Sequence, residues 1–538
     1  MISTDRGYPD LHDHLRTLEG AGLLVRVSRP INKDTEIHPL VRWQFRGGIP
    51  EPERKGFLFE CVTDSKGREY ALPVAVGVLA ASREIYRRGM GCPIEEIGAR
   101  WQQAMALPVP PEIVESGPCQ EVVVEGDSLD REGQGLDGLP VPISTPGFDN
   151  APYTTTSHFI TRDPDTGVQN AGNYRGQLKA PRRLGMNPSV DLRPGIFTHW
   201  EKYRARGEPM PCAVVLGAPP VISFASVQKV PETVDELAVA GGLVGVPIRV
   251  VRARTVDLLV PAEAEIVIEG FISTGELEPE APFGESHGHV NLQEYNAFLD
   301  VTAITRRRDA VLTSIISQVT PSESSLIKLV AYEPMFLQHL REALGIRGIR
   351  RVFMHEALTN LRKVVVLQFE PGVPETEVWR ALYGAVGFLR GTGKLVVAVD
   401  EDIDPANADA LLWALSYRMD PRSDLQILGH REGGHGPRRM RGDGQDGAML
   451  MNATLREPFP PISLPRREYM ERARQIWEEL GLPRLTPEPP WFGYSLGDWP
   501  KEFEEEAWAA VRGDYFETGH KHAAARRTDV RMNEGVPR

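Results

Sequence analysis

Twice along this chain the hydrophobic pattern changes period, and those two changes limit the folds open to it. Up to about residue 115, helix-period and strand-length runs alternate. An amphipathic helix is predicted over Leu11–Glu19, a strand over Leu23–Val27, a helix over Glu36–Phe45, a strand over Phe57–Cys61 and a helix over Pro93–Met105 that opens on a proline. This is the texture of a small α/β module, and Pro108, Pro110, Pro111 and Pro118 mark a linker after it. Between about Glu121 and Gln318 the runs become short and β-branched: Glu121–Glu125, Ala213–Leu216, Ile248–Val251, Leu258–Val260, Glu265–Ile268 and Ala310–Ile316. They predict an antiparallel β domain of barrel type, interrupted by one helix from Thr233 to Gly245. After residue 320 apolar strands again alternate with helices, as in an open α/β sheet. The helices are expected near Ser325–Leu344, Glu375–Leu389 and Ala406–Arg418, and the strands over Arg351–Met354, Lys363–Phe369 and Lys394–Val399.

The expected fold class is therefore α+β and multidomain. It comprises an N-terminal α/β module (1–118), a central antiparallel split β-barrel (119–320), a C-terminal α/β domain (321–470) and a helical tail (471–538). At about 150 residues per domain, 538 residues allow three or four such units. Residues 429–447 carry seven glycines and four arginines, a composition suited to a mobile loop over a site. Near the end, an acidic helix is expected over Lys501–Val511, followed by a polar segment suited to wrapping a partner subunit or to disorder.

Charge and composition exclude several functions. With 61 Lys and Arg against 74 Asp and Glu, the net charge of −13 argues against a non-specific nucleic-acid or anionic-lipid binder. An anionic ligand must then find a local basic site. The longest apolar stretch, Cys212–Ala225, is broken by Pro219 and Pro220, so no transmembrane helix is expected, and no secretory h-region follows Met1. A cytoplasmic location is the expectation. Cys61, Cys92, Cys119 and Cys212 stand singly, with no CxxC pair, and are expected as reduced thiols.

Three segments carry chemistry. In Glu280-Ala-Pro-Phe-Gly-Glu285-Ser-His287-Gly-His289 two carboxylates five apart bracket a turn and can point into one cavity. An arginine beside them would keep one ionised, while burial would suit the other to act as an acid. A solvated loop with incidental acids is the alternative. In Asn170-Ala-Gly-Asn-Tyr-Arg175-Gly, small residues let the backbone approach a ligand while Arg175 offers a bidentate fork; an exposed turn with a surface arginine fits as well. Thr233-Val-Asp-Glu236 reads as a capping box, although the free oxygen of Glu236 could also reach a divalent cation. His287 and His289 have no third ligand nearby and read as satisfied polar histidines. Asp400, Asp402 and Asp404 are explained by N-capping and strand-end solvation rather than a metal.

Together, NAGNYRG, EAPFGESHG and the later KLVVAVDEDIDP and LLWALSYRMDPRSD resemble, in order and approximate spacing, the UbiD family of reversible (de)carboxylases that use prenylated FMN. That family includes polyprenyl-hydroxybenzoate and ferulic acid decarboxylases. The resemblance spans nearly the whole chain. It implies a catalytic set of Glu280, Arg175 and Glu285, with Arg175 orienting the substrate carboxylate and Glu285 as proton donor. It also implies Asn170 and Glu236 as ligands to a divalent metal, Mn²⁺ or Mg²⁺, that clamps the cofactor phosphate. Lys394 is implied as a further phosphate contact and K⁺ as a monovalent ion nearby. The family has a metal-binding histidine between its arginine and its helix glutamate. His199 is the sole histidine between residues 176 and 235, and is the expected ligand, although its spacing from Arg175 is longer than usual and Gly195 is the rival aligned position.

The implied reaction is non-oxidative decarboxylation of an aromatic, heteroaromatic or α,β-unsaturated acid, for which the flavin supplies the electron sink that protein side chains lack. A flavin prenyltransferase is the implied cofactor supplier, and a homodimer or a multiple of dimers, formed through the C-terminal domain, is the implied assembly. The alternatives are an FMN-binding oxidoreductase and a non-catalytic subunit of a carboxylase complex.

Overall fold

The computed structural model describes residues 6–188, 190, 193–280, 282–356, 362–432, 445–456, 467–485 and 504–512, with isolated positions between 520 and 524. In the N-terminal unit the helices Leu11–Gly20, Ile37–Arg46, Arg83–Met90 and Ile94–Ala106 accompany a four-stranded sheet. The helix Arg83–Met90 has no counterpart in the sequence reading because Arg83, Glu84, Arg87 and Arg88 dilute its apolar signal. It still buries Ile85, Tyr86 and Met90, and Ser82 caps it. The strand Leu312–Ser314 pairs in parallel with Val74–Val76. The run Ala310–Ile316, expected in the β domain, thus closes the N-terminal sheet instead.

The central unit is a nine-stranded antiparallel sheet. Its strands are β1 (Val122–Glu125), β2 (Tyr153–Thr154), β3 (Ser157–Arg162), β4 (Gln169–Asn173), β5 (Gly176–Ala180), β6 (Arg183–Met186), β7 (Met210–Leu216), β8 (Ile266–Ile272) and β9 (Phe298–Arg306). Their spatial order is β4-β3-β7-β8-β9-β6-β5-β2, with β1 on β9. Flat, the positions of β3 and β2 would lie six strand spacings apart, about 29 Å. Yet β2 and β3 are joined by Thr155 and Thr156 alone, a link that reaches about 11 Å. The same mismatch holds for β4 and β5, joined by Tyr174 and Arg175. The sheet must therefore curl until its two ends meet, which makes it a half-barrel.

Hydrogen bonds close the seam. Tyr174 N–H donates to the Ser157 carbonyl at 3.1 Å, the Ser157 hydroxyl donates to the Tyr174 carbonyl at 2.6 Å, and the Asn173 amide reaches the Thr155 carbonyl at 3.1 Å. Arg175 is thus built into the line where the sheet's ends come together.

The runs at Ile248–Val251 and Leu258–Val260 leave this sheet. As Arg249–Arg252 and Leu259–Pro261 they form a small separate sheet with Glu112–Ile113. The C-terminal unit has a five-stranded mixed sheet in the order Ile349–Met354, Val364–Phe369, Leu395–Asp400, Gln445–Asn452, Leu425–Glu432, with the helices Glu375–Phe388 and Ala408–Tyr417. The last two strands take up both ends of the predicted mobile loop, and residues 433–444 of that loop lie outside the described residues. The acidic helix runs Glu504–Arg512, while residues 501–503 of its predicted span lie outside the described residues. A helix Arg467–Glu479 spans residue 470, where a domain boundary was expected.

One continuous apolar core links the three units, from Leu11 through Phe159 and Val215 to Leu326 and Leu367. The helix Glu323–Gln338 is pinned at its first residue. The buried Glu323 carboxylate accepts backbone N–H bonds from Gly77, Leu79, Ala80 and Ile316 at 2.9–3.4 Å. Among the described residues no helix is long and apolar enough to cross a membrane.

Candidate active site

A cavity of about 420 Å³ lies between the curled sheet, the helix Glu323–Gln338 and the C-terminal unit. Arg175, in the seam, is 8 % exposed and Glu280 1 %. Nε and Nη2 of Arg175 donate to the two Glu280 oxygens at 2.8 and 2.7 Å, a bidentate pair, and Nη1 donates to Glu285 Oε1. Burial opposes the charge on Arg175, but the Glu280 bonds and the Glu285 charge outweigh it and raise its pKa. The three residues expected to act together are therefore in contact.

The Glu280–His289 segment reaches this position through a β-ribbon. Glu278–Glu280 pairs with Glu294–Asn296, and Phe283–Gly284 pairs with Val290–Asn291. Phe283 supplies the apolar wall foreseen from its turn, with its ring centre 4.9 Å from the Arg175 guanidinium carbon and 4.5 Å from the Tyr153 ring. Asp149, which no motif in the sequence marks, accepts from Gly284 N–H at 2.8 Å and anchors the turn. The two acids differ in setting. Glu280 is fixed by Arg175 and approached by the Asn187 and Asn296 amides at 3.4 and 3.5 Å. The side chain of Glu285 keeps 13 % of its surface and lines the cavity. His287 lies against Asn291 at 3.1 Å, and Asn291 in turn donates to Glu285 at 3.4 Å.

Asn170 and Glu236 also line the cavity. Glu236 does not close a capping box with Thr233. Asp235 caps the helix Glu236–Val244 by accepting from Leu237 N–H, and Glu236 instead accepts from Ala171 N–H at 2.7 Å. Burial pushes the Glu236 carboxyl up to about 7. The Asn170 amide nitrogen is buried without a hydrogen-bond partner among the described residues. A poorly solvated carboxylate beside the Asn170 carbonyl oxygen fits a cation, and the unpaired amide N–H of Asn170 suits an acceptor such as a phosphate oxygen.

His199 is not part of this arrangement. It sits in the helix Gly195–Arg206 with Nδ1 2.9 Å from Thr161 Oγ1, and it is not among the residues lining the cavity. Gly195 is the residue there, packed so closely on Asn170 that a Cβ would collide with the amide. Among the described residues no three His, Cys, Asp or Glu side chains gather as a metal site.

Lys394 is likewise elsewhere. It precedes its strand, pairs with Asp446 and does not line the cavity. The cavity's lysines are Lys229, Lys328 and Lys363, joined by Arg362 and Arg390, so a local basic site does exist in this acidic chain. Asp400 and Asp402 do more than solvate a strand end, since both pair with the buried Arg418.

Two family models match the chain. The model for the UbiD 3-octaprenyl-4-hydroxybenzoate carboxy-lyase Rift-related domain matches residues 112–319, and that for the carboxy-lyase C-terminal domain matches residues 326–453. The chain belongs to the UbiD family. UbiD-class HmfF from Pelotomaculum thermopropionicum, solved with FMN, is 32 % identical with a TM-score of 0.73 over 85 % of this chain and 95 % of its own. An evolved dimeric form of HmfF, solved with prFMN, is 31 % identical with a TM-score of 0.72, covering 85 % of this chain and 97 % of its own. Vanillic acid decarboxylase of Sedimentibacter hydroxybenzoicus shares the fold at 24 % identity, with a TM-score of 0.71 over 88 % and 99 % of the two chains. As a UbiD-family member this protein is a carboxy-lyase, which takes the place of the oxidoreductase and non-catalytic alternatives.

Proposed function

We propose that the protein decarboxylates, reversibly and without net oxidation, an aromatic, heteroaromatic or α,β-unsaturated acid with the aid of prenylated FMN. One observation carries this reading: Arg175 is held by Glu280 and at the same time touches Glu285 at the wall of a cavity. A guanidinium fixed along one edge presents its remaining N–H groups to a substrate carboxylate, and Glu280 keeps that fork from turning. Glu285, the more accessible acid, can give way to the substrate and deliver a proton to the carbon that carbon dioxide leaves. Phe283 presents apolar surface to the cavity and is backed by the buried Tyr153 ring, which keeps water from the reacting carbon.

When bound, the prenylated flavin supplies the electron sink for the carbon that loses its carboxyl group. Asn170 and Glu236 would hold a divalent cation, Mn²⁺ or Mg²⁺, at its phosphate. Phosphate and water complete the coordination that His199 does not provide. A homodimer, or a multiple of dimers, formed through the C-terminal unit belongs to the same reading.

The test is to co-express the chain with a flavin prenyltransferase, supply Mn²⁺, and weigh the small molecule that denaturation releases. A mass matching prenylated FMN supports the reading, and recovery of no flavin refutes it. On the loaded enzyme, Glu285→Gln should slow carbon dioxide release by about 10²–10⁴-fold with little change in Tm. A variant of undiminished activity would remove Glu285 from the proton-donor role.

A further inference from the structure

The turn that carries Glu285 holds two histidines for which the reaction so far has no use. Main-chain bonds fix its shape. Glu285 N–H donates to the His289 carbonyl and Gly288 N–H to the Glu285 carbonyl, each at 3.0 Å, and Gly288 stands at φ 91°, where a side chain would be strained. Inside this turn His289 N–H donates to Nδ1 of His287 at 3.3 Å. A backbone N–H can only donate, so Nδ1 is an acceptor and the proton of the neutral ring sits on Nε2. Nε2 lies 3.1 Å from Asn291 Oδ1, and Asn291 Nδ2 lies 3.4 Å from Glu285 Oε1. One main-chain donor thus sets the polarity of the whole chain: Nε2–H meets the Asn291 carbonyl oxygen, and the amide N–H is turned toward the carboxylate. The reverse arrangement, with the Asn291 oxygen facing a protonated Glu285, would set Asn291 N–H against Nε2–H.

Glu285 is met by donors on both oxygens. Arg175 Nη1 and the Asn291 amide share Oε1, and Ser286 N–H reaches Oε2 at 3.2 Å. A substrate carboxylate competes for Arg175. The Asn291 bond remains, because Val290–Asn291 is paired to Phe283–Gly284, the strand that leads into Glu285.

Resting on the decarboxylase reading above, we propose that His287 and Asn291 are positioning residues for proton delivery: His287 orients the Asn291 amide, and that amide holds and stabilises the carboxylate that Glu285 becomes. In this step the bond between the substrate skeleton and its carboxyl carbon breaks and carbon dioxide leaves. The Glu285 O–H bond then breaks, its proton forms the new C–H bond, and its electron pair stays on the carboxylate. Neither His287 nor Asn291 gives up a proton.

Isothermal titration calorimetry of the full chain with benzoate between pH 5 and 8, with and without FMN, tests this. Benzoate on Arg175 displaces Glu285, so binding is coupled to proton uptake by Glu285. Affinity should fall about tenfold per pH unit up to the Glu285 pKa in the complex and level off above it. The charges around Glu285 are Arg175 with Glu280 behind it, Lys328 and the other cavity cations, and the His287 and His289 rings. Glu285→Gln should remove the break in the profile, which assigns it. Asn291→Leu should move the break upward by about 0.5–1 pH unit, because the carboxylate loses a donor. His287→Phe should move it the same way. His287→Gln, which can keep an N–H toward Asn291, should hold it near the wild-type position, and the two His287 variants serve if Asn291→Leu fails to fold. An unmoved break in Asn291→Leu and His287→Phe overturns the proposal, as does a His287→Gln break displaced as far as that of His287→Phe, or a wild type with no break that depends on Glu285. A chain that binds benzoate but no FMN defeats the decarboxylase reading instead, and the profile without FMN still tests the His287–Asn291 pair.

Discussion

On the wall built from the curled sheet, Arg175 meets Glu280 through two hydrogen bonds and Glu285 through a third, so the buried charges answer one another. On the wall built from the helix Glu323–Gln338 and the C-terminal unit, Lys328 has no hydrogen-bond or ion-pair partner among the described residues, and the Arg362 Nε has no acceptor among them. The first wall has its charged groups hydrogen-bonded to one another before any ligand arrives. The second leaves cationic side chains open to the cavity. Ligand-free stability and ligand affinity should therefore respond in opposite ways to substitutions on the two sides.

Arg175→Met should have the largest effect. It strands the buried Glu280 carboxylate, and chemical denaturation should show a loss of about 3–5 kcal/mol along with the loss of carbon dioxide release. An unchanged stability would mean that the first wall is not the matched set its geometry describes. Next is the anchor of the second wall. Burial pushes the Glu323 carboxyl up to about 7 from an ordinary value of 4.5, so the folded chain holds its proton more firmly than the unfolded chain. That contribution to stability is present below about pH 4.5 and is lost as pH rises toward 7, by on the order of 2–3 kcal/mol. Glu323→Gln should flatten this part of the stability profile between pH 5 and 8, and an unaltered slope would place the titration elsewhere.

Lys328→Met should do the reverse of Arg175→Met and stabilise the ligand-free chain, by about 1–2 kcal/mol in a thermal or urea melt, because it removes a poorly solvated, unpartnered charge. Destabilisation would reveal a structural role for this lysine and erase the contrast between the walls. Lys394→Ala should have the smallest effect, under about 1 kcal/mol, with FMN affinity unchanged, since its partner Asp446 is a partly exposed acid outside the cavity.

How much of this was legible in the sequence differed between the walls for the same physical reason. Glu280, Glu285 and Arg175 lie in two short motifs whose turns and small residues announce a backbone shaped around a ligand, and the fold needed only to bring two segments together. Lys328 sits in a helix that is buried on most of its sides, and Arg362 sits just before an ordinary strand. Nothing local distinguishes a lysine facing a cavity from one facing solvent, because the distinction is made by tertiary packing. Glu236 illustrates the halfway case. Its place at a helix start was visible, but the cap went to Asp235, two residues after Thr233, which freed Glu236 for Ala171 and the cavity. Lys394 was implied as a phosphate contact by the resemblance alone, while its position before a buried strand equally fits a strand-edge lysine, and the acid that claims it, Asp446, lies 52 residues further along the chain. The curl of the central sheet was foreseen as a class of fold. Its register was not, since the sequence carries no mark that β4 and β2 are the two ends that must meet.

The seam has one more consequence, which concerns the order of events as the chain folds. Arg175 occupies a two-residue bridge between opposite ends of an eight-strand path, and it finds Glu280 and Glu285 more than a hundred residues downstream. None of these groups can meet until the longest-range pairings are in place, and such pairings are the slowest to form. The catalytic constellation is thus a late product of folding. A chain that has collapsed and gained its helices is still inert, and during refolding the return of activity marks the moment the sheet closes on itself.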